Sequence, residues 1–169
     1  ANFRVGHLML EKSIRNLVVS TNFDDLLSRA LTLFGNRHIV CDHPRTVERI
    51  DLESEDVQII HVHGTYWFYD CCNLRHEIEE RSLASPSTSF TMSTLLDNVL
   101  LTRSPLIVGY SGWEGDVVMA SLKRRLSAPL RNHLYWFCYR RGDLDQFPSW
   151  LRSRTDVRFV VPAEGDQTQ

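Results

Sequence analysis

The feature that most constrains this chain is a recurring unit: a short apolar run, then a cluster of small and polar residues, then apolar residues at helical spacing. Leu17-Val18-Val19-Ser20 leads into Thr21-Asn22-Phe23-Asp24-Asp25, after which Leu26, Leu27, Ala30, Leu31 and Phe34 mark one helix face until Gly35. Pro105-Leu106-Ile107-Val108 is the cleanest buried run; it leads into a glycine-spaced turn at residues 109–115, and residues 116–126 have the period of a packed helix. A third run, residues 57–62, ends on His63-Gly64-Thr65. Residues 38–40, 133–138 and 157–161 predict further strands, and residues 92–101 and 144–152 further helices. Strands alternating with helices predict an α/β fold, a Rossmann-like and mostly parallel sheet with helices on both faces. Such sheets bind ligands outside the carboxyl ends of their strands, so function is expected in the three loops just named.

A length of 169 residues with 43% hydrophobic content fits one domain. It is expected over residues 1–163, with a small polar cap insertion at about 70–92 and a polar tail, 164–169, that starts a linker. Residues 41–56, polar and containing Pro44, suggest a loop or small surface excursion. Nineteen Lys and Arg against 21 Asp and Glu are interspersed along the chain, which leaves no basic footprint for nucleic acid. The apolar runs fall far short of the roughly 18 residues of a membrane span. The opening residues carry no export signal, so a cytoplasmic location is the expectation. Cys41, Cys71, Cys72 and Cys138 include an adjacent pair but no C-x-x-C, a pattern that suits free thiols in a reducing compartment.

Thr21-Asn22-Phe23-Asp24 resembles the sirtuin T-Q-N-I-D element, His63-Gly64-Thr65 the sirtuin H-G-[ST] element that holds the catalytic histidine, and Gly109-Tyr110-Ser111 the later G-T-S nucleotide-binding turn. Order and spacing agree together. The fuller stretches, residues 20–27 and 108–116, resemble bacterial sirtuin-like NAD-hydrolysing domains of antiphage defence, including Thoeris effectors and partners of short Argonautes. The resemblance implies NAD+ as substrate, no metal, further domains of a longer chain or a defence partner such as a short Argonaute, and leaves self-association open. It implies catalytic roles for Asn22 and His63, and NAD contacts for Thr21, Asp24, Gly64, Gly109, Ser111, Gly112 and Asp116. Deacylating sirtuins hold a structural zinc with two C-x-x-C pairs, which this sequence lacks, so protein deacylation loses weight. The family also opens with a G-A-G-[IV]-S strand-turn-helix that nothing before Val5 encodes. The chain is therefore expected to be a segment of a longer protein that binds NAD poorly as written, the missing strand lying beside the one at residues 17–20.

The same residues make chemical sense unnamed. Breaking the nicotinamide–ribose bond creates an oxocarbenium-like sugar, which needs a placed nucleophile and a prepared electrostatic environment. The Asn22 carboxamide, donor and acceptor at once, can hold a water beneath the anomeric carbon without adding charge. His63 suits a general base, as an imidazole does in general, and Gly64 lets the backbone turn behind it. By the resemblance, Asp24 faces the nicotinamide amide. The glycines at 109, 112 and 115 and Ser111 allow close approach of ribose and phosphate, and Asp116 can accept from a ribose hydroxyl. Each has a plainer alternative: Asn22 and Asp24 as an Asx turn and cap, Asp116 as a helix N-cap, and the four tryptophans as packing. Two other functions stay open. One is a module that senses NAD or a related nucleotide without cleaving it. The other is a metal-dependent hydrolase using His61 and His63 with Cys71, Cys72 and His76.

Overall fold

The computed structural model describes residues 2–68 and 91–163, which fall into two compact units, Ala1–Leu95 and Leu96–Gln169. The first unit contains α1 (Asn2–Leu10), β1 (Leu17–Ser20), α2 (Leu26–Leu33), β2 (His38–Cys41) and β3 (Val57–His61). Its strands pair in parallel in the order β1-β3-β2, so β3 is bonded on both sides. Val57 and Ile59 meet Met9 of α1 and Leu31 of α2 in a buried core, joined by Val5, Leu10, Val18 and Leu27. Each βα connection is thus closed by its own apolar face, as the spacing of Leu27 and Leu31 predicts.

Helix α1 carries no assignment in the sequence reading. It is short, and Gly6 in its middle lowers helix propensity by about 1 kcal/mol relative to alanine. A Cβ there would meet the Phe34 ring at 3.5 Å and Leu31 at 3.6 Å, ordinary contact distances, so packing does not demand the glycine. Phe3 adds an edge-on contact to Phe34 at 5.9 Å. Tertiary packing, not propensity, makes this helix.

Residues 41–56 are more than a surface excursion. A 3-10 helix at Pro44–Arg49 follows His43, whose ring nitrogen accepts from the Arg45 backbone N–H at 3.0 Å. Cys41, His43, Val47 and Ile50 are all buried. Val47 and Ile50 sit three apart, the spacing of one 3-10 face, a short signal within a polar stretch. Gln58, buried on β3, is satisfied by the Asp51 backbone: its Oε1 accepts from Asp51 N–H at 2.9 Å, and its Nε2 donates to Asp51 O at 2.6 Å. A buried amide paired on both sides in this way fixes the approach to β3.

The second unit holds β4 (Leu106–Val108), α4 (Val117–Arg125), β5 (Leu134–Phe137), α5 (Ser149–Arg152) and β6 (Val157–Val160), with α3 (Met92–Thr102) running into it. These strands also pair in parallel, in the order β4-β5-β6. Trp136 of β5 is fully buried among Met119 and Leu122 of α4, Leu100 of α3, Phe147, Leu151 and Val157. The helix expected over residues 144–152 is broken into a 3-10 helix at Arg141–Gln146 and the single turn of α5. Pro148 is the cause, because it lacks an N–H and drives Phe147 to extended geometry, ψ 146°. Phe147 and Leu151 are nevertheless core residues, as their apolar character predicts.

β4 is not the buried strand its composition predicts. Leu106 is 52% and Val108 70% exposed. They stand in register with Tyr135 and Phe137, which are also exposed, so one face of this sheet is apolar and open among the described residues. The alternate residues, Ile107, Leu134, Trp136, Val157 and Phe159, turn toward the core.

A charged clamp closes the turns before β5 and β6. Arg154 donates from Nε and Nη2 to the two oxygens of Asp156 at 2.9 and 2.6 Å, and the Leu130 N–H donates to the same carboxylate at 3.0 Å. The Arg154 guanidinium holds the Asp156 carboxyl down to about 2, against the opposing effect of burial. The folded value lies below the unfolded one of about 3.9, so this contribution is complete above pH ~4 and is lost as pH falls toward 2. We expect the denaturant midpoint of the second unit to fall over that window. Asp156→Asn should flatten the dependence and cost on the order of 2 kcal/mol at neutral pH. An unchanged acid profile in the variant would remove the clamp from the account.

Candidate functional site

β1 and β3 are neighbouring parallel strands in which Ser20 pairs with His61, so the chain leaves both at the same level. Two residues beyond each paired end stand Asn22 and His63. The strand register therefore places the two candidate catalytic positions side by side at the carboxyl end of one sheet. Backbone bonds tie the loops together: Val62 N–H donates to Ser20 O and Tyr66 N–H to Phe23 O, both at 3.1 Å. His63 is 7% exposed, and its ring lies 6.2 Å from that of Phe23. Gly64 has φ +85°, the left-handed conformation the turn behind His63 requires.

Asn22 is exposed and held through its backbone. Its N–H donates to Ser20 Oγ at 3.2 Å, and its carbonyl bonds His61 Nδ1 at 3.0 Å. A carbonyl only accepts, so Nδ1 of His61 carries the hydrogen of this bond. The sequence reading considered His61 only as a metal ligand, yet here it is the residue that positions Asn22. Both histidines reach the loop after β1, His61 through the Asn22 carbonyl and His63 through the Phe23 ring.

Thr21 and Asp24 complete this group. Asp24 Oδ1 accepts from Leu26 N–H at 3.1 Å, which is the Asx turn of the plainer reading. Asp25 pairs with Arg29 one helical turn on, Oδ1 to Nε at 2.8 Å. Burial opposes its charge, but the Arg29 and Tyr66 hydrogen bonds outweigh this and hold the carboxyl below its ordinary value.

Gly109, Ser111, Gly112 and Asp116 form the second group, at the carboxyl end of β4 in the other unit. Gly109 and Gly112 have φ +66° and +74°. A Cβ on Gly112 would come within 3.0 Å of the Phe147 ring and 3.1 Å of Trp136, and one on Gly115 within 2.6 Å of the Trp113 ring. Gly112 and Gly115 are thus demanded by packing, and Gly109, with open space around it, by its left-handed backbone alone. Ser111 is exposed. Asp116 is 3% exposed and caps α4, its Oδ1 accepting from Val118 N–H at 2.9 Å. Burial, and then the Asp116 carboxylate beside it, push the Tyr110 phenol far up, so that it stays neutral.

Among the described residues no three His, Cys, Asp or Glu side chains gather as a metal site. Cys71, Cys72 and His76, with most of the expected cap insertion and the tail 164–169, lie outside the described residues. Burial pushes the Cys41 and Cys138 thiols up, away from the thiolate form that binds metals. No helix among the described residues is long and apolar enough to cross a membrane.

The stretch of sequence that carries these strand ends and loops matches a known family. The model of the SIR2-like domain aligns with residues 16–155, most of the chain. This chain belongs to the SIR2-like family. That family binds NAD+ and includes NAD-dependent enzymes. No curated protein and no solved structure shows a significant match. The family match spans all three loops, and with them every residue named above as a candidate contact.

Proposed function

We propose that this SIR2-like chain cleaves NAD+ at the nicotinamide–ribose bond, releasing nicotinamide. The observation that carries the proposal is the placement of Asn22 and His63 at matched positions beyond paired parallel strands, with His61 fixing the Asn22 backbone. In this reading Asn22 holds a water against the anomeric carbon and His63 takes a proton from that water or from a ribose hydroxyl. The uncharged carboxamide suits a site where positive charge develops on the sugar. Thr21, Asp24 and Gly64 contact the nicotinamide riboside half. Gly109, Ser111, Gly112 and Asp116 contact the remaining ribose and phosphates. The absence of the paired C-x-x-C motifs that hold the structural zinc of deacylating sirtuins supports hydrolysis over protein deacylation.

The setting follows from the resemblance: a cytoplasmic effector of bacterial antiphage defence, controlled by further domains or by a partner such as a short Argonaute. Incubation with NAD+ and quantification of nicotinamide and ADP-ribose tests the chemistry. Stoichiometric formation of both products is expected. Binding of NAD+ without any nicotinamide would replace cleavage by nucleotide sensing, and activity abolished by chelators would favour the metal-dependent hydrolase.

A further inference from the structure

Immediately after His63-Gly64-Thr65 the chain places Tyr66 and Trp67 on the surface, 47% and 63% exposed. Their rings lie 4.6 Å apart at an interplanar angle of 34°. Two large aromatic side chains left in water forgo a substantial hydrophobic gain, and a parallel α/β fold has core positions for such residues. These two are also held in place. The Tyr66 N–H donates to Phe23 O at 3.1 Å, and its hydroxyl accepts from Arg29 Nη2 at 2.9 Å. Arg29 is itself anchored to Asp25 at 2.8 Å. The first turn of α2 thus orders Tyr66, and Tyr66 supports Trp67, so that little side-chain entropy remains to be lost on stacking. The pair stands on the loop leaving β3, at the end of the sheet where such folds take their ligands.

We propose that Tyr66 and Trp67 form a stacking platform for the planar heteroaromatic ring of a nucleotide whose ribose reaches the His63 loop. The inference rests on the NAD-cleavage reading and adds to it the group that holds one ring of the dinucleotide. Both the pyridine and the purine ring offer a π face, and stacking on Trp67 serves either. A stacked ring of this kind accounts for ten- to about a hundredfold in affinity, judged by alanine substitution.

The test is titration of the full chain with AMP and, separately, with nicotinamide mononucleotide, followed by calorimetry and by tryptophan fluorescence. One of the two is expected to bind and quench, which identifies the ring. Trp67→Ala should weaken that binding about ten- to a hundredfold, Trp67→Phe should restore most of it, and Arg29→Ala should weaken it less by freeing Tyr66. Equal affinity of wild type and Trp67→Ala for both mononucleotides, or binding of neither, overturns the platform. The two readings separate cleanly. Trp67-dependent binding in a chain that releases no nicotinamide leaves the platform standing and removes cleavage. Nicotinamide release with an unchanged KM in Trp67→Ala removes the platform and leaves cleavage.

Discussion

Asn22→Ala is expected to lower nicotinamide release by roughly a hundred- to a thousandfold while leaving stability within about 0.5 kcal/mol of wild type. The side chain is exposed, and the bonds that hold this residue run through its backbone, which alanine retains. His63→Ala should lower turnover by a similar factor, about a hundredfold or more. It should cost more in stability, on the order of 1–2 kcal/mol, because the ring is buried and packs near Phe23. Steady-state rates alongside denaturant melts separate the two effects. Turnover near the wild-type rate in either variant would reject its assigned role. His61→Ala provides the contrast: it removes the donor to the Asn22 carbonyl, so kcat should fall through misplacement of Asn22 although His61 has no chemical step of its own.

The second large effect concerns stability alone. Trp136 is fully buried, with Phe147 at 4.7 Å, Tyr110 at 5.8 Å and Phe159 at 6.4 Å between ring centroids. Trp136→Ala should cost about 3–5 kcal/mol, a large part of the 5–15 kcal/mol typical of a domain. Trp136→Phe should cost much less. It gives up volume, but it also removes an indole N–H that is buried without a hydrogen-bond acceptor among the described residues, and an unmet donor carries its own penalty of about 1–3 kcal/mol. Urea unfolding of the three proteins measures the difference. A phenylalanine variant as unstable as the alanine one would mean that the indole N–H has a partner in solution.

What could be read beforehand divides along physical lines. β1, α2, β2 and β3 follow from local pattern, since apolar spacing over Leu17–Ser20 and Leu26–Leu33 leaves one way to bury those side chains. That Asn22 and His63 both follow neighbouring strands was legible because parallel strands deliver their loops to one end of a sheet. Helix α1 was not, since it is held by Met9 packed against Leu31, Val57 and Ile59 and by Phe3 against Phe34, which no local window contains. The exposure of Leu106 and Val108 was likewise hidden: an apolar strand looks the same in sequence whether one face or two are covered. The broken helix at 144–152 was legible in Pro148 and outweighed by the apolar spacing around it. His61 shows the limit at the site, because its role depends on a backbone carbonyl in another loop, and backbone acceptors leave no trace in residue identity.

Each sheet closes on a middle strand of its own, β3 in one unit and β5 in the other. Amide hydrogens on these strands are bonded to a neighbour on either side, so they are expected to exchange with solvent only when their whole unit opens. Two compact units predict two opening free energies where a single cooperative body would have one. The slowest amides of β3 and β5 would converge on separate isotherms as denaturant is raised, and one melting temperature would average two events. For a protein whose candidate groups are divided between the units, protection of β3 would rise with whatever binds beside His63, and protection of β5 only with whatever engages the glycine loop after β4.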